Sequence, residues 1–241
     1  MKFLLEVIGF NIESCSIAQA AGAHRIELCD NPGEGGTTPS YGFIKAARKN
    51  LQIDLYPIIR PRGGDFFYTD EEFEVMKIDV KICKELACDG VVIGILHTDG
   101  TVDKKRCSQL IELAYPLGVT FHRAFDRVND PFKAMEDIID IGCERILTSG
   151  LQPTAPAGAE TISALTRQAD ERIIIMPGSA VRSENIKELA AKTGATEFHT
   201  SARMNIGSGM NYTNAAMHEN LRSVSADATE IKKIIKILST A

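Results

Sequence analysis

Eight short apolar segments, separated by longer stretches with helical patterns, constrain the fold of this chain more than any other feature. The eight candidate strands are FLLEV (3–7), HRIEL (24–28), IDLYPII (53–59), GVVIGI (90–95), VTFHR (119–123), RILT (145–148), RIIIM (172–176) and TEFHT (196–200). Most are nearly continuous apolar runs rather than alternations of apolar and polar residues. Such runs are typical of parallel strands that are buried on both faces.

The segments between the candidate strands carry helix start signals. Predicted helices begin at Thr38 ahead of Pro39, at Thr69 or Asp70, at Asp130 ahead of Pro131, at Ser183, and in the tail after Ala226. Eight βα units that close on themselves form a (β/α)₈ TIM barrel, and a doubly wound open sheet is the alternative. Because the 241 residues contain no linker or break in composition, we predict a single domain over residues 1–241.

Charge and cysteine usage exclude several classes of partner. The net charge of -5 offers no basic surface for nucleic acid or for an anionic membrane. No stretch approaches the roughly 18 apolar residues of a membrane span. The six cysteines are scattered without a CxxC pair, which indicates reduced thiols and a cytoplasmic location.

Polar side chains collect where the predicted strands end. In a TIM barrel, the active site lies at the carboxyl ends of the strands. The residues at these ends are Glu6, Glu27, Cys29, Arg60, Arg62, His97, His122, Arg123, Asp126, Thr148, Ser149, Gly178, Ser179, His199, Ser201 and Arg203. Buried charges are costly unless they are paired, so their concentration at one end predicts a shared pocket.

Four of these residues are candidates for acid/base catalysis: Glu6, Glu27, His122 and His199. The histidines suit this role because imidazole titrates near neutral pH. The two glutamates could instead bind a metal ion, or form structural ion pairs with Arg60 and Arg123 that close the top of the barrel. His97 lies in HTDG, a stretch more typical of a turn.

A second group of residues indicates an anion site. MPGSAVRSEN (176–185) places Gly178 and Ser179 between a strand and a predicted helix, where backbone N–H groups favour a phosphate or a carboxylate. The predicted substrate- or anion-binding residues are Arg60, Arg123, Asp126, Ser149, Gly178, Ser179 and Ser201. A plain tight turn followed by a capped helix is the alternative. The segments 61–68 and 204–220 could fold over this pocket, or else lie on the surface or be disordered.

The motifs at the strand ends resemble those of the CutC family, known as copper homeostasis proteins. They are LLEV, RIELCDNPGEGGTTPS, IIRPRGGDFFY, FHRAFD, RILTSG, IMPGSAV and EFHTSAR, in order from residue 3 to about 203. The resemblance implies a TIM barrel, a cytoplasmic location and a homo-oligomer. It also implies a link to copper, with Cys29 as a residue that could bind Cu(I).

Three functions therefore stay open. The first is a copper-handling protein in which Cys29 binds Cu(I). The second is an enzyme that acts on a small phosphorylated or carboxylated metabolite by acid/base chemistry at the barrel mouth. The third is a non-catalytic barrel that acts through an oligomeric surface. Since no predicted strand ends in lysine, a Schiff-base aldolase is disfavoured.

Overall fold

The computed structural model describes residues 3–240 and forms a (β/α)₈ barrel, as the sequence predicts. Eight parallel strands lie within these residues: β1 (Leu4–Gly9), β2 (Arg25–Leu28), β3 (Asp54–Pro57), β4 (Gly90–Ile93), β5 (Gly118–Phe121), β6 (Arg145–Thr148), β7 (Ile174–Pro177) and β8 (Glu197–Thr200). They pair in the orders β3-β2-β1-β8 and β4-β5-β6-β7. A parallel bridge from Ile58 to Val92 joins the two sets, and β7 packs beside β8.

The helices alternate with the strands on the outside of the barrel. Their bounds are α1 (Ile12–Ala20), α2 (Tyr41–Asn50), α3 (Asp70–Glu85), α4 (Lys104–Ala114), α5 (Pro131–Asp140), α6 (Ala159–Ala169), α7 (Ile186–Thr193) and α8 (Ala228–Leu238). The predicted starts of α3 and α5 are confirmed, because the side chains of Thr69 and Asp130 accept hydrogen bonds from backbone N–H groups of the first turn. No helix of residues 3–240 combines the length and the apolar composition needed to cross a membrane.

Two predicted helix starts are wrong. Helix α2 is capped by Ser40, whereas the hydroxyl of Thr38 accepts a hydrogen bond from the backbone of Arg60. Helix α7 begins at Ile186, because Ser183 donates both its N–H and its hydroxyl to the carboxylate of Glu230 at the start of α8. In both cases the side chain that the local sequence predicts as a helix cap instead forms a tertiary hydrogen bond.

The interior of the barrel contains buried charges. The side chain of Arg25 on β2 contacts Glu6 on β1 and Glu197 on β8, and it lies over the ring of Tyr56 on β3. These partners come from three other strands, so the guanidinium lies inside the barrel. Arg145 on β6 also binds Glu197, with 2.6 Å between Nε and Oε2. Each carboxylate of this network thus has an arginine partner, which offsets the cost of burial.

The tail forms a hairpin followed by the last helix. Strands β9 (Arg203–Ile206) and β10 (Ser223–Ala226) pair antiparallel, and the Asn11 side-chain amide donates to the Val224 carbonyl. The residues between these strands, within the segment 204–220, are exposed in the structure. The predicted amphipathic helix after Ala226 is confirmed as α8, which buries Ile231, Ile234 and Leu238.

Candidate active site

A cavity of about 260 Å³, here named the mouth pocket, opens at the carboxyl ends of the strands. Eight of the strand-end residues singled out from the sequence line it: Glu27, Arg60, His122, Arg123, Ser179, His199, Ser201 and Arg203. Apolar side chains complete the wall: Ile8, Phe10, Ile58, Phe66 and Leu147. The structure therefore brings together residues from the ends of β2, β3, β5, β7 and β8.

Glu6, His199 and Glu27 form a buried row that ends at the mouth pocket. His199 Nδ1 lies 2.8 Å from Glu6 Oε1, and its Nε2 lies 3.8 Å from Glu27 Oε2. The other Glu6 oxygen accepts a hydrogen bond from Arg25. Burial acts to raise the pKa of Glu6, but the charge of Arg25 and the hydrogen bond with His199 lower it to about 2. Glu6 is therefore a fixed anion that orients the imidazole of His199.

Glu27 and His199, here named the Glu27–His199 pair, form the pocket end of this row, and both have raised pKa values. Burial raises the pKa of Glu27 to about 7, because the opposing charge of His199 only partly offsets it. Burial also acts to lower the pKa of His199, yet the hydrogen bond to Glu6 and the charges of both glutamates raise it above its usual value. A carboxyl group with a pKa of about 7, such as that of Glu27, can both donate and accept a proton at physiological pH.

His122 is held as a neutral hydrogen-bond donor. It caps the short 3-10 helix Arg123–Arg127, and its Nδ1 accepts a hydrogen bond from the N–H of Ala124. Burial and the charge of Arg60 lower the pKa of His122 to about 3, so the ring is neutral with its proton on Nε2. This buried Nε2 has no hydrogen-bond partner within residues 3–240. Among possible catalytic roles, the geometry favours donation of a hydrogen bond over proton abstraction.

The predicted alternative in which Arg60 and Arg123 pair with the two glutamates is wrong. Arg60 donates to the backbone carbonyls of Glu34, Gly36 and Gly64, and no carboxylate of the described residues forms an ion pair with it. Its guanidinium lies 4.9 Å from the centre of the Phe66 ring. The three carbonyls carry no net charge, so Arg60 keeps its positive charge at the pocket wall.

Asp126 and Ser149 lie behind the mouth pocket and hold Arg123 in place. Asp126 Oδ2 accepts from Arg123 Nε at 2.7 Å, and its Oδ1 accepts from the hydroxyl of Thr148 at 2.6 Å. Arg123 also donates to the hydroxyl of Ser149. These contacts position Arg123, while Asp126 and Ser149 themselves do not line the cavity.

Gly178 and Ser179 follow β7, but their groups are already engaged. The N–H of Gly178 donates to the carbonyl of Thr148, and the hydroxyl of Ser179 donates to the carbonyl of Pro153. Because α7 starts only at Ile186, its first turn does not follow directly on this loop. Ser179 nevertheless lines the mouth pocket, as does Ser201 after β8.

Comparison with known proteins gives the family. The CutC family profile matches residues 3–204. The chain belongs to the CutC family. A CutC family protein of Chromobacterium violaceum is 52% identical over 212 residues, which is 88% of this chain and 86% of that protein. The human protein named copper homeostasis protein cutC homolog is 46% identical over 89% of this chain and 79% of its own length. The crystal structure of CutC from Streptococcus agalactiae superposes with a TM-score of 0.79 at 35% identity, covering 83% of this chain and 98% of that one.

Three charged residues of this CutC family chain were missed in the sequence: Arg25, Arg145 and Glu197. Each is the first residue of a strand, at the end of the barrel opposite the predicted pocket. A usable signal was present, since alternate residues of a strand share a face. Arg25 therefore lies on the same face as Glu27, and Glu197 on the same face as His199.

Possible metal ligands in this CutC family chain are oxygen and nitrogen atoms. Glu6, Glu27 and His199 each offer one ligand atom within 4.8 Å of the others. Both oxygens of Glu6 are already hydrogen-bonded, which leaves His199 Nε2 and Glu27 as the available donors. Cys29 is buried outside the pocket lining, and burial together with the charge of Glu27 raises the pKa of its thiol well above the usual value.

Proposed function

We propose that this chain is an enzyme that binds a small phosphorylated or carboxylated metabolite in the mouth pocket and acts on it by acid/base chemistry. The observation that carries the proposal is the buried row Glu6–His199–Glu27, which ends in a cavity whose wall bears Arg60, an arginine with no carboxylate partner among residues 3–240. Perturbed titratable groups that converge on a pocket are the usual mark of an active site.

The size of the mouth pocket supports a small ligand. Its volume is about 260 Å³. This lies near the lower end of the roughly 300–1,000 Å³ that small-molecule pockets span, which supports a small ligand. Apolar residues such as Phe10 and Leu147 form part of the wall, so the ligand combines an anionic group with a short organic portion.

The charges around the mouth pocket support an anionic ligand. Arg60 keeps its positive charge unneutralised, and Arg203 lines the same cavity. The free Nε2–H of His122 is a third donor, and a buried donor without a partner is costly until a ligand satisfies it. The Glu27–His199 pair would then supply or remove the proton, with Glu6 fixing the orientation of the imidazole.

We expect substitution of His122 to weaken anion binding. In His122→Leu, the dissociation constants of sulfate, inorganic phosphate and acetate should rise by about tenfold or more, because a hydrogen bond to a charged group contributes roughly 1.5–3 kcal/mol and leucine has no donor. Titration calorimetry at pH 7 measures the constants. The matched control is His97→Leu, since His97 is exposed and does not line the mouth pocket. Equal loss in both variants, or no binding of any of the three ions to the wild-type protein, would refute the anion pocket.

A second candidate function is copper homeostasis with Cys29 as a Cu(I) ligand. The name of the human relative supports it, and so does the position of Cys29 directly after β2, where the charge of Glu27 helps to raise the pKa of its thiol. The donor set fits poorly, because the pocket lining offers nitrogen and oxygen atoms whereas Cu(I) prefers sulfur. We therefore rank this function second.

Cu(I) titration separates the two candidates. We expect weak Cu(I) binding that changes little in Cys29→Ser, since the buried thiol holds its proton and lacks a second sulfur in the lining. The measurement is an anaerobic titration of the reduced protein against a competing chelator, with Cys143→Ser as the control for loss of a buried thiol. Sub-picomolar affinity that is lost only in Cys29→Ser would establish the copper function instead.

We further propose a cytoplasmic location and a homo-oligomer. All six cysteines are free thiols, which supports a reducing compartment. The tail hairpin exposes several large apolar side chains, including Met210, Tyr212 and Met217, and such exposure supports self-association.

A further inference from the structure

A second cavity, here named the side cavity, lies next to the mouth pocket. It has a volume of about 630 Å³ and opens between the loop after β3, the loop after β4 and the end of the 3-10 helix Arg123–Arg127. Among residues 3–240, Phe66 alone lines both cavities. We propose that the side cavity is a second subsite for the same ligand, an inference that rests on the anion pocket proposed above. It binds the far end of an elongated metabolite that carries an anionic group at each end.

The boundary between the two cavities is the side chain of Phe66. The centre of its ring lies 4.9 Å from the centre of the His122 ring and 4.9 Å from the guanidinium carbon of Arg60. The carbonyl of Phe66 accepts a hydrogen bond from the N–H of Leu96 at 2.9 Å, which anchors the backbone. The ring itself is half-buried, and staggered side-chain rotamers other than the present one exist for it. A rotation of the ring therefore joins the two cavities without a movement of the backbone.

The side cavity contains a cation that is free to bind a ligand. Arg127 is exposed, and its guanidinium forms no ion pair or hydrogen bond within residues 3–240. The carboxylate of Asp65 in the same wall already pairs with Arg62 at 2.9 Å. Leu96 and the half-exposed ring of Phe67 add apolar surface. Such a wall fits an apolar segment that ends in an anion.

The 3-10 helix sets the distance between the two ends of the ligand. His122 caps this helix at the mouth pocket, and Arg127 ends it at the side cavity. Because a 3-10 helix rises about 2.0 Å per residue, the two residues lie about 10 Å apart along its axis. An extended chain advances roughly 1.2 Å per bond, so about eight bonds span this distance. That is the separation of the two carboxyl carbons in a dicarboxylate of about nine carbons.

Binding at the far end selects the ligand by its length. A ligand with one anionic group uses the mouth pocket alone, and its volume of about 260 Å³ limits only the part of the ligand that enters it. A second anionic group on a chain of matching length reaches Arg127 as an intramolecular contact, which adds to the affinity. Because Arg127 is exposed, solvent screens this contact, and we expect a gain of about fivefold.

Dicarboxylates of increasing length are the probes, each measured beside the monocarboxylate with the same number of carbons. Titration calorimetry of the full chain at pH 7 gives the dissociation constants, from succinate and butanoate to sebacate and decanoate. The comparison within each pair removes the contribution of the apolar chain, which both ligands share. We expect the short dicarboxylates to bind no more tightly than their monocarboxylates. Near nine carbons the dicarboxylate should bind about fivefold more tightly.

The variant Arg127→Gln tests which residue binds the far end. The advantage of the long dicarboxylates should disappear, because the second carboxylate then has no cation in the side cavity. The matched control is Arg222→Gln, which removes an exposed arginine that lines neither cavity, and the advantage should remain. The wild-type comparison needs no variant, so it decides whether a second subsite exists even if Arg127→Gln does not fold.

The outcomes separate this inference from the anion pocket. If carboxylates bind the wild-type protein but length brings no advantage to the dicarboxylates, the second subsite is refuted and the anion pocket stands. An advantage that persists in folded Arg127→Gln also refutes the side cavity as the second subsite. Absence of binding by every carboxylate, short or long, overturns both proposals.

Discussion

Arg25→Met should lower the free energy of unfolding by about 3–5 kcal/mol at pH 7, the largest single effect that we expect in this chain. The guanidinium of Arg25 is 1% exposed and binds both Glu6 and Glu197. Its removal leaves carboxylate charge inside the barrel that water cannot reach. Arg145 compensates part of this at Glu197 but none at Glu6 by direct contact. Urea denaturation followed by circular dichroism measures the change.

The control for this prediction is an exposed ion pair of the same type. Arg172 binds Glu136 with 2.6 Å between Nη1 and Oε2, and both side chains are more than 40% exposed. Arg172→Met should change stability only slightly, because exposed pairs are screened by solvent. The double variant Arg25→Met/Glu6→Gln should recover part of the loss, since it removes the unpaired charge. No recovery, or equal effects of the two arginine substitutions, would show that the buried network does not act through charge.

His122→Gln should make the protein relatively more stable in acid, by about 3 kcal/mol between pH 7 and pH 4. In the folded state the pKa of His122 is about 3, against the usual 6.5. As the pH falls below 6.5, the unfolded chain therefore binds a proton at His122 that the folded chain does not bind. The free energy of unfolding of the wild-type protein consequently decreases progressively toward pH 3. Glutamine does not titrate, so the variant avoids this loss.

The measurement is a set of urea denaturation curves at pH 7, 5.5 and 4 for both proteins. The decisive quantity is the difference in free energy of unfolding between the two proteins at each pH. Glu27 titrates in both proteins and acts in the opposite direction, so its contribution cancels in this difference. Its raised pKa of about 7 makes the folded state bind a proton first, which adds stability as the pH falls from 7 toward 4.5. His97→Gln is the control, since this ring is exposed. A difference that does not depend on pH would contradict a buried neutral imidazole at position 122.

Much of the candidate site could be predicted from the sequence, because of a property of the barrel itself. Parallel strands present their carboxyl ends at one face, so polar residues that follow buried strands must meet there. Glu27, His122 and His199 meet in this way around one cavity. The motifs also carry the membership of the CutC family, which the profile match confirms.

The partners and charge states of these residues could not be read from order along the chain. The strand ends allowed the two glutamates to pair with Arg60 and Arg123, but Glu6 instead binds Arg25, its register partner on the neighbouring strand β2. Likewise, the cap expected at Ser183 was lost to a contact with Glu230, 47 residues away. Such pairings depend on the register between strands and on packing between distant elements.

The sequence by itself determined the eight βα units, the single face at which the polar residues collect, and the family, because periodicity and motifs are local properties. Only the tertiary structure decided which groups in that face are fixed and which can titrate. Burial and the distance to a neighbouring charge set each pKa, and both are known only once strands far apart in sequence lie side by side. Glu6 and Glu27 show the difference: they are the same residue type on neighbouring strands, with pKa values of about 2 and about 7.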